Sequence, residues 1–340
     1  MMKRLQLVAL VLGIAFFAYL IRAIGPEVLV ADLRSIGWAL GLVVLLELAL
    51  DAANTLGWRY TFPPHERHIP FASLYLVRLA GTAFNQVLPS AMVGGEPIKV
   101  MLLRPALPLA STLASVVTAK LTYSIAQAIF VLIGSAVTFS LLNVPAALLR
   151  ALVIALTSMV TGLAGFLWLQ RRGLFTDAVR VCHALGLPEH WLEPVQRAAA
   201  TLDAHIRDFH VSRPHDFALS IVWHLSGFTC GILQVYLLLR WLDLPAHLET
   251  CFAIEALALL VQVATFFVPG GIGVQEGGKV LIFTALGLPA KAGLSVGIAF
   301  RLNQIVGIAL GLAAYAYLQS QRQAVVANPE TQVTLSKFKL

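Results

Sequence analysis

The sequence predicts an all-α polytopic membrane protein, a helical bundle in which two helix segments are broken or re-entrant and form an inverted repeat. Of its 340 residues, 59% are hydrophobic and only 12% are charged, and the mean hydropathy is +0.82. Soluble domains carry about 25% charged residues, so this composition indicates a surface that faces lipid. A further observation is a Pro–Glu–Lys motif that begins at Pro89 and recurs at Pro269, 180 positions later.

Apolar segments follow one another along the chain, and most reach the ~20 residues that a helix needs to cross a bilayer. They cover residues 5–24, 36–57, 71–88, 109–140, 148–169, 216–241, 250–268, 279–288 and 291–318. Two short pieces, 94–104 and 279–288, cannot cross alone, and each follows a break that contains Pro and Gly. A helix, a break and a short helix in that order are typical of a re-entrant hairpin or a broken transmembrane helix.

The first segment follows the basic pair Lys3 and Arg4 and is not followed by a small-x-small cleavage site. We therefore interpret 5–24 as a retained transmembrane helix rather than a signal peptide. The whole chain is then predicted to be one transmembrane domain, 1–320, with a polar C-terminal tail at 321–340.

Positive charge predicts the orientation of the bundle. Lys and Arg occur at the N-terminus, in 58–70, in 170–215 and in the tail, whereas 141–149 and 242–250 contain neither. If both broken segments are re-entrant, the positive-inside rule places every basic segment, and both termini, in the cytoplasm. We expect a bacterial inner-membrane protein, and we interpret the net charge of +7 as loop bias rather than as a nucleic-acid surface.

The same count makes the two repeat halves, about 71–140 and 250–318, opposite in topology, with the first motif entering from the cytoplasm and the second from outside. Inverted repeats of this kind are a hallmark of transporter folds. Between the halves, 170–215 carries apolar residues at roughly helical spacing among charges. It is predicted to form two amphipathic helices on the cytoplasmic membrane surface.

Each motif pairs a Glu with a Lys three positions on: Glu96 with Lys99, and Glu276 with Lys279. A carboxylate at membrane depth costs on the order of 2.5–3.5 kcal/mol, so it needs a partner, and the Lys on the same helix face can supply one. Two compatible interpretations remain: a local ion pair at the start of a short helix, and a site that lines a pathway. The residues predicted to form the structural breaks are Pro89, Gly94, Gly95, Pro269, Gly270, Gly271 and Gly273.

The repeat extends beyond the motif, because a Leu-Pro pair at 107–108 matches one at 288–289 and Lys120 then matches Arg301. Each of these cations lies well inside an apolar stretch. Snorkelling to the interface is one explanation. We favour the other, a fixed cation that faces a cavity and suits an anionic headgroup.

Other ionisable residues lie at predicted membrane depth: Glu47, Asp51, Arg78 and Glu255. Such groups can relay protons or couple an ion, but we favour interhelical pairing, for example of Asp51 or Glu47 with Arg78. His224, alone in an apolar helix, is interpreted as a satisfied buried histidine.

Catalytic and metal-binding patterns are absent from the sequence. It contains no GxSxG, no HExxH and no nucleotide-binding motif, so we expect no cofactor and no metal. Cys182, Cys230 and Cys251 lie far apart and are predicted to be unpaired thiols.

The runs from Phe84 to Lys99 (FNQVLPSAMVGGEPIK) and from Phe267 to Gly277 (FVPGGIGVQEG) resemble the flippase-like membrane family, which includes the transmembrane part of lysylphosphatidylglycerol synthase. The resemblance covers about 5–318 and is nearest to the hopanoid-biosynthesis-associated variety, in which Gly-Gly-Glu-Pro replaces the commoner Gly-Glu-x-x-Arg. It implies an integral inner-membrane protein that translocates or handles a lipid. Lys99 stands where many members have Arg, which leaves the headgroup preference open.

In the lysylphosphatidylglycerol enzyme a separate soluble domain makes the lipid and the membrane part flips it. About two dozen residues follow Leu318 here, so we expect no synthase domain and no aminoacyl transfer. The resemblance thus implies a transporter rather than an enzyme, with a hopanoid, another isoprenoid-derived lipid or an anionic lipid as substrate and lipid-biosynthesis enzymes as further partners. The residues expected to line its path are Asn85, Glu96, Lys99, Lys120, Glu276, Lys279 and Arg301.

Two other functions stay open. A membrane-embedded lipid-modifying transferase predicts a pocket open to one leaflet with a general base beside a cation. A non-catalytic scaffold of a lipid-synthesis complex predicts that the buried charges pair off and leave no polar cavity. A two-sided cavity favours transport.

Overall fold

The computed structural model confirms the all-α fold. The residues that it describes are helices and turns without strands. Of the predicted first transmembrane helix, 5–24, only position 22 is described. The described residues are 37–87, 94–141, 146–185, 189–265 and 268–327, together with the isolated positions 22, 27, 30, 31 and 34.

Helix boundaries agree with the apolar segments to within a few residues, except that the last helix continues into the segment predicted as a polar tail. Within the described ranges, five helices are long and apolar enough to cross a membrane, namely α1, α4, α5, α8 and α11. The helices are α1 (Ala39–Thr61), α2 (Phe71–Val87), α3 (Gly95–Leu103), α4 (Leu109–Leu141), α5 (Ala146–Arg172), α6 (Leu174–Ala184), α7 (Glu189–Ser212), α8 (Pro214–Trp241), α9 (Leu248–Ala264), α10 (Val274–Ala285) and α11 (Ala290–Ala327).

Helices α1 and α8 form an antiparallel pair that positions much of the polar interior. The Ser220 hydroxyl donates to the Gly57 carbonyl at 2.9 Å, and the Gln234 amide donates to the Val43 carbonyl at 2.9 Å. The absence of a side chain at Gly57 lets α8 approach closely, since a Cβ there would lie 2.7 Å from the His224 ring.

Two segments of the chain share one order of elements. Each has a first helix of 17 residues, a break, a short helix and a long helix, in α2–α3–α4 and in α9–α10–α11. Each long helix packs against the first helix of the other segment. Glycines allow both contacts: a Cβ at Gly311 of α11 would lie 2.4 Å from the Leu79 carbonyl oxygen, and one at Gly134 of α4 would lie 2.2 Å from the Ala256 Cβ.

The basic connections meet at one end of the bundle, which we call the basic end. Arg67 pairs with Asp216 there, and Arg213 donates to the Phe62 carbonyl at 3.0 Å. Trp58, Phe62, Leu107 and Leu318 belong to one hydrophobic cluster. The last turn of α1, the C-terminal half of α11 and the starts of α4 and α8 therefore lie together at this end.

The two breaks produce hairpins that open toward opposite ends. Helix α2 starts at the basic end and α3 returns antiparallel to it, because Lys99 packs on Gly81 while the Gly95 amide bonds to Asn85. Helix α10 runs antiparallel to α11, since Gly293 contacts Val280 and Phe283 whereas Gly297 contacts Glu276. Because α11 ends at the basic end, α10 runs toward the other end.

The connection between the segments forms the predicted pair of amphipathic helices, α6 and α7. Asp203 of α7 accepts hydrogen bonds from the Thr176 amide at 2.8 Å and hydroxyl at 2.7 Å, so it caps the start of α6. Leu202 and Ile206 pack against Ala114 of α4. Contact of this pair with a membrane surface stays a prediction.

Candidate functional site

Two polar cavities lie inside the described part of the bundle. The first cavity has a volume of about 510 Å³ and the second about 210 Å³. They adjoin, because five residues line both: Glu47, Leu50, Gln86, Tyr123 and Gln262.

Together the cavities extend along part of the bundle's length. On α1 their lining runs from Glu47 to Trp58, about 16 Å at 1.5 Å per residue. On α8 it runs from His224 in the first cavity to Gln234 in the second, about 15 Å. These lengths of about 15–16 Å are about half of a hydrocarbon core of about 30 Å.

Charges in the first cavity are balanced but not completely paired. The Lys99 ammonium lies 2.9 Å from the Glu96 carboxylate, and an Arg78 nitrogen lies 3.3 Å from the Asp51 carboxylate. These pairs were both foreseen from spacing and depth. Lys120 is exposed along the cavity and forms no ion pair with a described residue. The ionisable residues that line this cavity are Glu47, Asp51, Arg78, Glu96, Lys99, Lys120, Tyr123 and His224.

Asn85 closes the hairpin of α2 and α3 beneath the first cavity. Its Oδ1 accepts from the Gly95 amide at 2.7 Å, and its Nδ2 donates to Glu96 at 3.3 Å. A Cβ at Gly95 would lie 1.8 Å from the Gly81 carbonyl oxygen, so only glycine fits. Gly94 forms the turn before α3, and Pro89 lies outside the described residues.

The second break is held by a different ion pair from the one that spacing indicated. The partner of Glu276 is Arg301, 25 residues on, and not Lys279. Arg301 Nε donates to Glu276 Oε1 at 2.7 Å, Nη2 lies 2.6 Å from the same oxygen, and Nη1 donates to the Gly270 carbonyl at 2.7 Å. Glu276 Oε2 accepts from the Gly273 amide at 2.8 Å, which caps α10.

Backbone geometry explains the glycines of this break. Gly270, Gly271 and Gly273 have φ of 63°, 59° and 79°, a region that side chains disfavour. Pro269 begins the short turn that carries them. Glu276 is only 1% exposed, and neither it nor Arg301 lines either cavity. This pair therefore fastens the break to α11.

Lys279 instead faces the second cavity. Its ammonium lies 4.7 Å from the centre of the Phe300 ring, a cation–π contact. Glu255 lines the same cavity, and within the described ranges neither residue forms a hydrogen bond or an ion pair through its side chain. Among the described cations that line a cavity, those without an ion pair are therefore Lys120 in the first cavity and Lys279 in the second.

Glu47 lies where the cavities meet and joins three helices. Its Oε2 accepts from the Gln234 amide at 2.9 Å and from the Asn303 amide at 3.1 Å. Arg78 pairs with Asp51 instead, so Glu47 is held by neutral donors of α8 and α11.

His224 is buried, as predicted, but only one of its ring nitrogens has a partner. Nδ1 lies 2.6 Å from Asn54 Oδ1, whereas Nε2 has none, and the ring packs edge-on against Tyr123 at 5.5 Å. Among the described residues no group of three His, Cys, Asp or Glu side chains could hold a metal. Cys182, Cys230 and Cys251 are free thiols.

Several lining residues were not singled out from the sequence. They are carboxamides and aromatic residues of otherwise apolar helices, and isolated Gln residues there were the available signal. Trp58 lies 5.6 Å below the Lys99 ammonium. The others are Asn54, Gln86, Tyr123, Gln127, Gln234, Gln262, Gln275 and Phe300.

Comparison with known proteins gives two matches over nearly the whole chain. The profile of the family described as the lysylphosphatidylglycerol synthase TM region matches residues 6–311. A UPF0104 membrane protein of Methanothermobacter thermautotrophicus is 24% identical over an alignment 340 positions long, which covers 94% of this chain and 97% of that protein. No solved structure matches. The likeness to the hopanoid-associated variety is not tested by these matches.

Proposed function

This chain belongs to the family of the lysylphosphatidylglycerol synthase transmembrane region, a family of multi-pass membrane proteins, and from that premise we propose that it moves a lipid between the leaflets of a bilayer. The observation that carries the proposal is the pair of adjoining polar cavities, each with one unpaired lysine. The two hairpins act as re-entrant segments, and the headgroup passes along the polar lining while the acyl chains stay in the membrane.

The charges favour a headgroup that carries an anion. In the first cavity, Arg78 and Lys99 are neutralised by Asp51 and Glu96, so Lys120 is the cation that is free to bind. A phosphate or carboxylate that leaves water needs such a partner, because an unpaired buried charge costs several kcal/mol. Lys279 in the second cavity offers a second positive position farther along the bundle. An anionic phospholipid is the simplest substrate of this class, and a hopanoid or another isoprenoid-derived lipid with an anionic headgroup fits equally.

The basic end of the bundle supports an orientation of the protein in the membrane. Connections rich in Lys and Arg gather there, which supports an orientation with this end and both termini in the cytoplasm, and the proposed location is a bacterial inner membrane. The first cavity, which reaches Trp58 near the last turn of α1, then lies nearer the cytoplasmic leaflet.

The alternatives fit less well. A scaffold predicts no polar cavity, whereas two are present. A lipid-modifying transferase has one observation in its favour, since the unpartnered Nε2 of His224 belongs to a residue that lines the first cavity with Lys120. Mass spectrometry of lipids incubated with the protein separates the two functions, because a transferase changes their masses and a transporter does not.

The direct test is translocation in proteoliposomes. A fluorescent anionic phospholipid is placed in both leaflets, and dithionite bleaches only the outer one, so the rate of further bleaching measures flipping. Loss of one charge-assisted hydrogen bond is worth about 1.5–3 kcal/mol, so Lys120→Ala is expected to slow flipping at least about tenfold. Lys120→Arg keeps the charge and retains most of the rate.

Matched controls make the result specific. Lys291→Ala removes an exposed lysine of α11 that lines neither cavity, and it is expected to flip like the wild type. Glu96→Ala leaves Lys99 unpaired inside the first cavity and is expected to slow flipping as well. Wild-type rates in both Lys120→Ala and Glu96→Ala, with each variant folded, would overturn the assignment of the first cavity.

A further inference from the structure

The second cavity is lined by an unusual concentration of carboxamides. They are Gln86, Gln234, Gln262, Gln275, Asn303 and Gln304. Each carboxamide offers two N–H donors and an acceptor oxygen. Aromatic rings of Tyr123, Phe228 and Phe300 complete the wall.

Contacts within the protein use only part of this hydrogen-bonding capacity. Gln234 and Asn303 donate to Glu47, and Gln304 accepts from Arg301. Asn303 is only 3% exposed, and its Oδ1 has no hydrogen-bond partner among the described residues. The buried Oε1 of Gln86 has none either. Buried polar atoms without partners are rare in folded proteins, so these oxygens point to a ligand.

Two further carboxamides are wholly unused. Gln262, at the junction of the cavities, and Gln275, in the first turn of α10, form no side-chain hydrogen bond with any residue in the described ranges. The second cavity therefore offers both hydrogen-bond donors and acceptors. A bound group must supply both kinds of atom to satisfy them.

Charge makes the second cavity a less favourable binding position for a phosphate than Lys120 in the first cavity. Glu47 and Glu255 line the second cavity against one cation, Lys279, whereas carboxylates and cations are equal in number in the first cavity, so a further anion binds more favourably in the first. A hydroxyl group, by contrast, donates one hydrogen bond and accepts two, and it carries no charge. The C–H faces of a sugar or polyol pack against aromatic rings such as Phe228 and Phe300.

We propose that the second cavity binds a neutral polyhydroxylated group, the sugar or polyol part of a lipid headgroup. The inference rests on the proposed function for the source of that group and refines it: the anionic part of the headgroup binds at Lys120 in the first cavity, and the hydroxyl-bearing part binds among the carboxamides of the second.

A lipid-binding measurement that does not depend on transport tests the proposed polyol site. The purified full chain is titrated with monoglucosyl-diacylglycerol and with diacylglycerol of the same chains, which differ only in the sugar, and bound lipid is quantified by native mass spectrometry. Two hydrogen bonds to the sugar, each worth about fivefold, give an expected preference of roughly 25-fold. Gln275→Leu is expected to lose about fivefold, and Gln262→Leu combined with it abolishes the preference.

Gln127→Leu is the matched control, because Gln127 lines only the first cavity. It is expected to keep the full preference, and Gln275→Leu is expected to bind phosphatidic acid as the wild type does. Methyl glucoside added in excess identifies the source: displacement of the glucosyl lipid shows that a free sugar suffices, and no displacement shows that the lipid chains are needed.

Equal binding of the two neutral lipids, or an equal loss in Gln127→Leu and Gln275→Leu, overturns the inference. The proposed transport function can be refuted independently of the polyol site. Sugar preference without flipping refutes transport alone, whereas flipping without sugar preference refutes only the polyol site.

Discussion

Removing Arg301 is expected to cost far more stability than removing its counterpart Lys120. Arg301→Ala deletes hydrogen bonds to Glu276, to the Gly270 carbonyl and to Gln304, and it leaves the carboxylate of Glu276, which is 1% exposed, without its counter-ion. Hydrogen bonds to charged groups contribute about 1.5–3 kcal/mol each, and breaking one partner of a buried ion pair costs about 3–5 kcal/mol. The bonds to Glu276 and Gly270 together sum to about 3–6 kcal/mol, which agrees with an expected loss of about 3–5 kcal/mol in the free energy of unfolding.

Lys120→Ala provides the comparison at the equivalent position of the other segment. Lys120 is exposed along the first cavity and has no ion-pair partner among the described residues, so its removal is expected to change stability by less than about 0.5 kcal/mol. The two variants thus distinguish a structural role from a role in binding the lipid headgroup. Arg301→Ala is expected to lose stability, and Lys120→Ala is expected to lose flipping.

Unfolding in mixed micelles with increasing dodecyl sulfate, followed by tryptophan fluorescence, measures both variants. The double variant Glu276→Gln with Arg301→Gln removes the buried charge altogether and is expected to be more stable than Arg301→Gln alone. Equal stability of Arg301→Ala and the wild type would refute the reasoning, and so would a double variant less stable than the single one.

Three other outcomes are expected. In Gly95→Ala the new Cβ would lie 1.8 Å from the Gly81 carbonyl oxygen, so we expect no folded protein on size-exclusion chromatography. Gly41→Ala is the control, because a Cβ there meets nothing within 4 Å and the protein should fold normally. A folded Gly95→Ala protein would contradict the tight hairpin. Asp51→Asn leaves Arg78 unpaired and should lower the free energy of unfolding by about 3 kcal/mol in the same titration. Asp177→Asn breaks an exposed pair and should lower it by less than about 0.5 kcal/mol. Similar losses in both variants would argue against a buried pair. In a cysteine-free background, an impermeant maleimide added to intact cells should label Asp243→Cys and not His65→Cys, and the reverse pattern would invert the predicted orientation.

Composition, together with the Pro and Gly residues between apolar segments, was enough to predict the described helices, including the short helices α3 and α10. A helix of about 20 apolar residues is specified locally, so segments such as 109–140 and 216–241 match α4 and α8 closely. The pair Lys99–Glu96 was also predictable, because its partners are three residues apart on one helix.

Partners distant in sequence were harder to assign. Glu276 has Lys279 three positions on and Arg301 on another helix, and the packing of α10 against α11 decides in favour of Arg301. The cavities depend on the same tertiary packing. Gln262 and Gln275 therefore acquire a role only once α9 and α10 are placed beside α1 and α11.

The exchange of long helices between the two segments has a consequence for how such a protein is assembled. Since α4 packs against α9 and α11 packs against α2, neither segment is a self-sufficient folding unit. A polypeptide consisting of α2 to α4 alone would expose the surfaces that receive α9 and α11, so it would have to recruit a second copy inserted in the opposite direction.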